Sequence, residues 1–275
     1  MFREVYLQSG WGFRRKRSVA KRGVYRIINP MEQKDSIYAD YREQVADFVF
    51  DDAVAAVFDD MIRRSVPGYA TVIAMTKVFA EHYAQADSVC YDLGCSLGAS
   101  TLAMRKGIIH SGCGIVAVDN SAAMVKQCSE VVAMDKSDVP VEVVCADIRD
   151  VAIENASVVV MNFTLQFLAP DQRDTMIQKI YDGLRPGGVL LLSEKISFDD
   201  TDKDAFETDM HHEFKKFMGY SDLEVAQKRK SLENVLLPDT LDIHRKRLKQ
   251  AGFSKTFLWF QCFNFMSLAA FKNHD

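Results

Sequence analysis

The sequence predicts an α/β fold with a doubly wound, mostly parallel sheet, and three observations point to it. Short β-branched runs alternate with helical patterns between residues 88 and 193, as parallel strands joined by covering helices do. The first run passes into a turn that holds Gly94 and Gly98, and a helical pattern starts there. Acids stand at the ends of the first three runs, the edge where open α/β sheets bind ligands.

The elements follow in order. Residues 38–60 and Met61 place Val45, Phe48, Val49, Val54, Val57 and Phe58 at helical spacing, which predicts a helix. Pro67-Gly68 breaks it, and Tyr69 opens a second helix with Val72, Met75, Val78, Phe79 and Tyr83 on one face. Both are expected as a helical layer over the sheet. Residues 88–93 read as the first strand and 100–109 as its helix. Residues 114–118 form the second strand, ended by Asp119-Asn120, and Ser121 can cap a helix to about residue 133. A third strand over 141–146 ends at Asp147, and a fourth covers 156–162. A helix over 171–183 stops at Gly183 and Pro186, ahead of a fifth strand over 188–193. Residues 199–237 are charge-rich, with Phe206, Met210, Phe214 and Phe217 at helical spacing, and predict an inserted helical cap. Residues 241–251 make a further helix with Gly252 just past its end. Residues 257–265 and 266–271 predict two last strands, with Asn264 near the bend between them.

Length fits one large α/β domain or a domain with a cap: the chain has 275 residues, 48% of them hydrophobic and 26% charged. A net charge of −4 argues against nucleic-acid binding through a broadly basic surface, though a local basic pocket for an acidic small molecule stays open. No apolar run reaches the about 20 residues of a membrane span. The cysteines, at positions 90, 95, 113, 128, 145 and 262, never fall at C-x-x-C spacing, so no metal site is expected; buried, reduced thiols are. Residues 1–30 carry Arg3, Arg14, Arg15, Lys16, Arg17, Lys21, Arg22 and Arg26 against the single acid Glu4. That stretch is expected to be a disordered extension, either upstream of a true start at Met31 or a transit peptide. Residues 31–275 are expected to form a single α/β domain.

The sharpest local signal is the stretch from Val89 to Ser100, with Asp92, Gly94 and Gly98 in D-x-G-x-x-x-G order. It lacks the G-x-G-x-x-G of a dinucleotide site and the Gly-Lys-Ser/Thr of a phosphate loop. It matches S-adenosylmethionine-binding enzymes, in which an acid balances the ligand's ammonium and sulfonium charges. Asp119 can accept both ribose hydroxyls, or simply cap the next helix. Asp147 can accept from an exocyclic amine with Ile148 as an apolar wall for adenine, or serve only the turn.

Several stretches together carry a closer likeness: Ser65-Val66-Pro67-Gly68-Tyr69, Asp147-Ile148-Arg149-Asp150, Asn162-Phe163-Thr164-Leu165-Gln166-Phe167, Leu192-Ser193-Glu194-Lys195, Gln227-Lys228-Arg229 and residues 258–265. Over roughly residues 48–271 the chain resembles the carboxy-S-adenosyl-L-methionine synthase family; residues 1–30 depart from it. The resemblance implies a seven-stranded, class I methyltransferase-like sheet. It implies S-adenosylmethionine and prephenate as substrates, and carboxy-S-adenosylmethionine and phenylpyruvate as products. The carboxylated product would be used in the cytoplasm by a separate tRNA carboxymethyltransferase acting on a wobble uridine. By matching position, the cofactor-binding residues would be Tyr69, Gly94, Cys95, Ser96, Asp119, Asn120, Asp147, Ile148 and Asn162. Arg229 would meet the new carboxylate from the neighbouring subunit of a homodimer and serve as the catalytic residue.

Plainer readings stand beside these. Arg229 within Lys228-Arg229-Lys230 can be a solvated charge, Tyr69 a core aromatic and Asn162 a turn residue. His211 and His212 read as structural, because adjacent helical residues point in different directions. The aromatic run over 257–265 reads as sheet core and subunit contact. Arg64, Arg105, Lys195 and Arg229 are the candidates for the two carboxylates of prephenate. A conventional methyltransferase and a non-catalytic cofactor-binding scaffold are the alternatives.

Overall fold

The computed structural model describes residues 34–274, and the basic stretch over 1–30 lies outside them. The described chain opens with an irregular segment and then helix α1 (Asp52–Ser65), whose cap Asp51 accepts the Val54 N–H at 2.9 Å. The helix expected over 38–60 therefore begins only at Asp52. Residues 38–50 are held instead by a later helix, α7 (Asp222–Leu232). Gln227 donates to the Tyr38 and Asp40 carbonyls and accepts the Arg42 N–H, while Phe48 N–H donates to the Ser231 carbonyl. These long-range bonds satisfy backbone groups that a helix would otherwise pair.

Helix α2 (Tyr69–Tyr83) starts at Gly68, as the Pro67-Gly68 break predicts. Strand β1 (Val89–Leu93), helix α3 (Ala99–Gly107), β2 (Gly114–Asp119), α4 (Ala122–Met134), β3 (Val141–Cys145) and β4 (Ala156–Asn162) then alternate. Ser121 caps α4 by accepting the Met124 N–H. A short 3-10 turn (Leu165–Phe167) leads to α5 (Pro170–Gly183) and β5 (Leu184–Ser197). The cap consists of α6 (Thr201–Phe217) and α7. Strand β6 (Asp239–Thr240), helix α8 (Leu241–Ala251), β7 (Lys255–Cys262) and β8 (Phe265–Phe271) complete the fold. Gly252 ends α8 in the left-handed region, and Phe263-Asn264 make the last bend.

The main sheet runs β3-β2-β1-β4-β5-β8-β7, with β6 added beside β5. Strands β1 to β5 pair in parallel, and β8 is antiparallel to both β5 and β7. This is the doubly wound, mostly parallel α/β sheet that the sequence predicts. The two-residue side-chain period sorts the central strands into two cores. Tyr91, Leu93, Val159, Met161, Leu190 and Leu192 face α5 and α8; Cys90, Val158, Val160, Val189 and Leu191 face the opposite layer with Ala80 and Met104. Every residue of β4 but Asn162 is buried, as a strand covered on both faces requires. All six cysteines are free thiols, four of them buried. Among the described residues no helix is long and apolar enough to cross a membrane.

The order reverses between β1 and β4, so their carboxyl ends open a crevice at a topological switch point. The loops after β1, β2, β3 and β4 all emerge at that edge.

Candidate active site

At this edge lies a cavity of about 650 Å³. Tyr69, Gly94, Cys95, Ser96 and Asp119 line it, and so do Asn120, Asp147, Ile148, Asn162 and Arg229. The fold thus gathers in one place the ten residues matched to the family's cofactor and product contacts, but not Asp92 of the glycine loop.

The loop after β1 has an unusual backbone. Gly94 and Gly98 have φ of +87° and +85°, and Ser96, between them, has φ of +49°. A Cβ on Gly94 would lie 2.1 Å from Thr164 Oγ1, so glycine is required there by conformation and by space. Asp119 ties this loop to the next: Oδ2 accepts the Ser96 N–H and Oδ1 the Ser121 N–H, each at 2.9 Å. Burial raises the Asp119 carboxyl above its ordinary range, while the two N–H donors pull it back. Each oxygen keeps a lone pair for the cavity.

Asp147 is engaged differently. Arg149 grips it through its side chain and its backbone N–H, and this holds the carboxyl below the usual range. A nucleobase amine would share Asp147 with that guanidinium. Ile148 is buried beside it. Phe50 and Phe167 also line the cavity, edge to face with ring centroids 5.4 Å apart, and add an apolar wall that the sequence reading did not include.

Asn162, at the end of β4, donates from Nδ2 to Ser100 Oγ at 3.0 Å, and its Oδ1 is buried with no partner among the described residues. An orphaned acceptor in a cavity calls for a ligand donor, such as an ammonium. Tyr69 tilts against Phe163, with ring centroids 6.4 Å apart. Phe163 itself has φ of +59°, a strained value for an aromatic residue, and its N–H donates to Ser193 O. Buried Glu194 fixes this loop by accepting the Leu165 and Gln166 N–H groups at 2.9 and 3.1 Å.

Asp92 corrects the sequence reading. It is 1% exposed, accepts the Thr101 hydroxyl at 2.5 Å and does not line the cavity. Burial pushes its carboxyl up to about 7, so it supports the loop from behind. Two of the four prephenate candidates are also placed elsewhere. Arg64 binds the Met218 and Asp35 carbonyls and Asp60, and lies over the Tyr220 ring. Arg105 is spent on the Val132, Ser137 and Val139 carbonyls and Asp135. Neither lines the cavity.

The remaining cations converge. Lys195, Lys215, Lys228 and Arg229 line the same cavity, joined by His211 and His212. Arg229 is exposed, yet it lines the cavity of its own chain, so a single subunit already carries it there. Lys228 pairs with Asp35 at 3.5 Å and donates to Ser65 Oγ; burial still lowers it to about 8. Burial, with the charges of Lys228, Lys195 and Arg229, lowers Lys215 to about 7. Lys195 is lowered by burial and by Arg229. Lys215 was not singled out from the sequence, and Lys228 was noted there only as part of the stretches around Arg229.

Comparison with known proteins agrees with this architecture. Residues 90–188 match the family model described as a methyltransferase domain. The chain is 56% identical over 239 residues to a protein named carboxy-S-adenosyl-L-methionine synthase from Citrifermentans bemidjiense, covering 86% of this chain and 98% of that one. It is 53% identical over 242 residues to a protein of the same name from Aliivibrio fischeri, covering 88% and 100%. Among solved structures it resembles a putative S-adenosyl-L-methionine-dependent methyltransferase from Methanococcus maripaludis, with a TM-score of 0.54, 19% identity and coverage of 85% and 98%. That last likeness speaks to the fold.

Proposed function

The chain belongs to the carboxy-S-adenosyl-L-methionine synthase family, and from that premise we propose that it converts S-adenosylmethionine and prephenate to carboxy-S-adenosylmethionine and phenylpyruvate. The observation that carries the reading is a pair of cations, half-buried Lys195 and buried Lys215, that have no ion-pair partner among the described residues and share a cavity with a glycine loop and strand-end acids. S-adenosylmethionine carries one carboxylate and needs no such excess; a dicarboxylate co-substrate does.

Asp119 holds the ribose hydroxyls in this reading, Ile148 with Phe50 and Phe167 flanks the adenine, and Asn162 Oδ1 accepts from the ammonium. Asp147 takes the adenine amine alongside Arg149. What S-adenosylmethionine supplies is a methyl group activated by the adjacent sulfonium. Loss of the ring carboxylate of prephenate as carbon dioxide, with expulsion of its hydroxyl as hydroxide, makes the ring aromatic. The hydroxide takes up one methyl hydrogen and leaves as water. The carbon dioxide ends on the methyl carbon, so atoms and charge balance. The protein's part is to hold the reactants together and keep bulk water out. A guanidinium suits the new carboxylate through a two-point grip, and Arg229 is the residue for it. Being exposed, Arg229 is also free to reach a neighbouring cavity, and a homodimer with that exchange belongs to the proposal. So does use of the product, in the cytoplasm, by a separate tRNA carboxymethyltransferase.

Incubation of the purified protein with both substrates tests this. The expected result is a cofactor heavier by one carbon dioxide, with phenylpyruvate released in step. Arg229→Ala should bind S-adenosylmethionine but lose its preference for the carboxylated form. Recovery of only unmodified or demethylated cofactor would overturn the synthase reading in favour of conventional methyl transfer or simple binding.

A further inference from the structure

Prephenate keeps one carboxylate when it gives up the other, and Arg229 serves only the one transferred. We infer that Lys195, Lys215 and His211 form a second subsite that grips the retained carboxylate and the ring hydroxyl, so that the enzyme selects a hydroxylated dicarboxylate. The inference rests on the reaction proposed above and assigns parts to residues that the reaction alone does not require.

Three features carry it. First, the inner face of α6 is polar: Thr208, His211, His212 and Lys215, spaced three and four apart, all line the cavity. Lys215 is 6% exposed and His211 4% exposed, whereas Phe206 and Phe217 on the same helix are 59% and 87% exposed. A helix that turns lysine and histidine inward and phenylalanine outward does so at a cost that a bound anion would offset. Second, among the described residues neither Lys195 Nζ nor Lys215 Nζ has an ion-pair or hydrogen-bond partner; Asp204 acts on Lys195 only from beyond that range. Third, His211 Nε2 lies 2.8 Å from the Ser65 carbonyl. A carbonyl only accepts, so Nε2 carries the hydrogen and Nδ1 the lone pair. Nδ1 is buried with no partner among the described residues, and burial next to Lys215 and Lys195 keeps the ring neutral. Two cations call for a carboxylate, and a lone acceptor beside them calls for a hydroxyl.

The groups facing Lys215 are Lys228 and Arg229 of α7, Lys195 of β5, and His211 and His212 of its own helix. None is an acid, so the Lys215 ammonium is lost as pH rises past about 7, and anion affinity is expected to fall with it.

The test titrates phenylpyruvate into the full-length protein saturated with S-adenosylhomocysteine, and separately measures turnover of prephenate. Lys195→Met and Lys215→Met should each weaken phenylpyruvate binding by about tenfold or more and raise the KM for prephenate alike, with kcat changed far less. Lys215→Arg should restore most of the affinity and remove its decline above neutral pH. His211→Phe should raise the KM for prephenate but spare phenylpyruvate binding, because phenylpyruvate has no ring hydroxyl. Retained S-adenosylhomocysteine affinity shows that each variant is folded. Wild-type phenylpyruvate affinity in both lysine variants would overturn the subsite even if prephenate is turned over. Lysine-dependent phenylpyruvate binding without prephenate turnover would keep the subsite and sink the reaction.

Discussion

Replacing Asp119 with asparagine isolates the strand-end carboxylate at nearly constant shape. In the native protein each oxygen takes one backbone N–H, from Ser96 and from Ser121, both at 2.9 Å. An ionised carboxylate has about four acceptor positions, so two remain for vicinal hydroxyls of a ligand. Asparagine keeps one oxygen and presents an N–H₂ in place of the other. One backbone N–H then meets a donor, and one ligand hydroxyl loses its acceptor. A hydrogen bond to a charged group contributes about 1.5–3 kcal/mol, and about 1.4 kcal/mol corresponds to tenfold, so affinity for S-adenosylmethionine should fall by about 10- to 150-fold. Calorimetric titration of both proteins measures this directly. Because burial raises the Asp119 carboxyl, wild-type affinity should also begin to fall on acidification at a higher pH than an ordinary aspartate would impose, and the variant should lack that feature. A loss smaller than about threefold would refute the ribose role, since it would leave less than one charged hydrogen bond to account for.

Gly94→Ala forces an L side chain to φ of +87° and sets its Cβ 2.1 Å from Thr164 Oγ1. The left-handed conformation alone costs about 1–2 kcal/mol, so the melting temperature should drop, and Thr164→Ala in that background should recover only the steric part. An unchanged melting temperature would contradict the loop geometry. Burial raises the Glu194 carboxyl to about 8, far above an unfolded chain's about 4.3, so the folded state holds the extra proton between these values. The stability from that proton is complete below the lower value and is lost as pH rises through about 8. Glu194→Gln should therefore flatten this part of the melting-temperature profile, and an identical profile would count against it. Thr101→Val removes the hydroxyl that Asp92 accepts, and should destabilise the fold by about 1–3 kcal/mol while changing S-adenosylmethionine affinity little. A large affinity loss would mean that Asp92 touches the ligand after all.

The parallel sheet was legible because each of its signals is local. Strand β4 is a short run built on Val158-Val159-Val160-Met161, Ser121 caps α4 through its own turn, and Gly252 stops α8 by its left-handed φ. The segment over 38–50 was misread for the opposite reason. Its Val45 and Phe48 do sit at helical spacing, but their backbone neighbours are claimed by Gln227 and Ser231, some 185 residues away in the Arg42–Gln227 pair. No local pattern encodes such a partner. The strand-end acids divide likewise. Asp119 is the last residue of β2 and reaches the cavity, whereas Asp92 lies one residue inside β1, with Thr101 taking its carboxylate. Their chemistry is the same, and only their place along the strand separates a cavity-lining carboxylate from an internal brace.

The lysines of the cap were the hardest part of the site to see, and the reason is an inversion. Ordinary amphipathic logic sends Phe206 and Phe217 inward and Lys215 outward. The structure does the reverse, so the periodicity located the helix correctly and pointed to the wrong face. The proposed subsite accounts for the inversion, because it gives the inner face a charged occupant. Among the described residues no acid pairs with Lys215, and its ammonium is already weakened to about 7 by burial and by three neighbouring cations. In the proposed subsite an entering anion would relieve that repulsion and return the proton affinity of Lys215 toward its ordinary value. If the proposed subsite holds, neutral and singly charged competitors should bind more weakly than a dianion, because they relieve less of the repulsion.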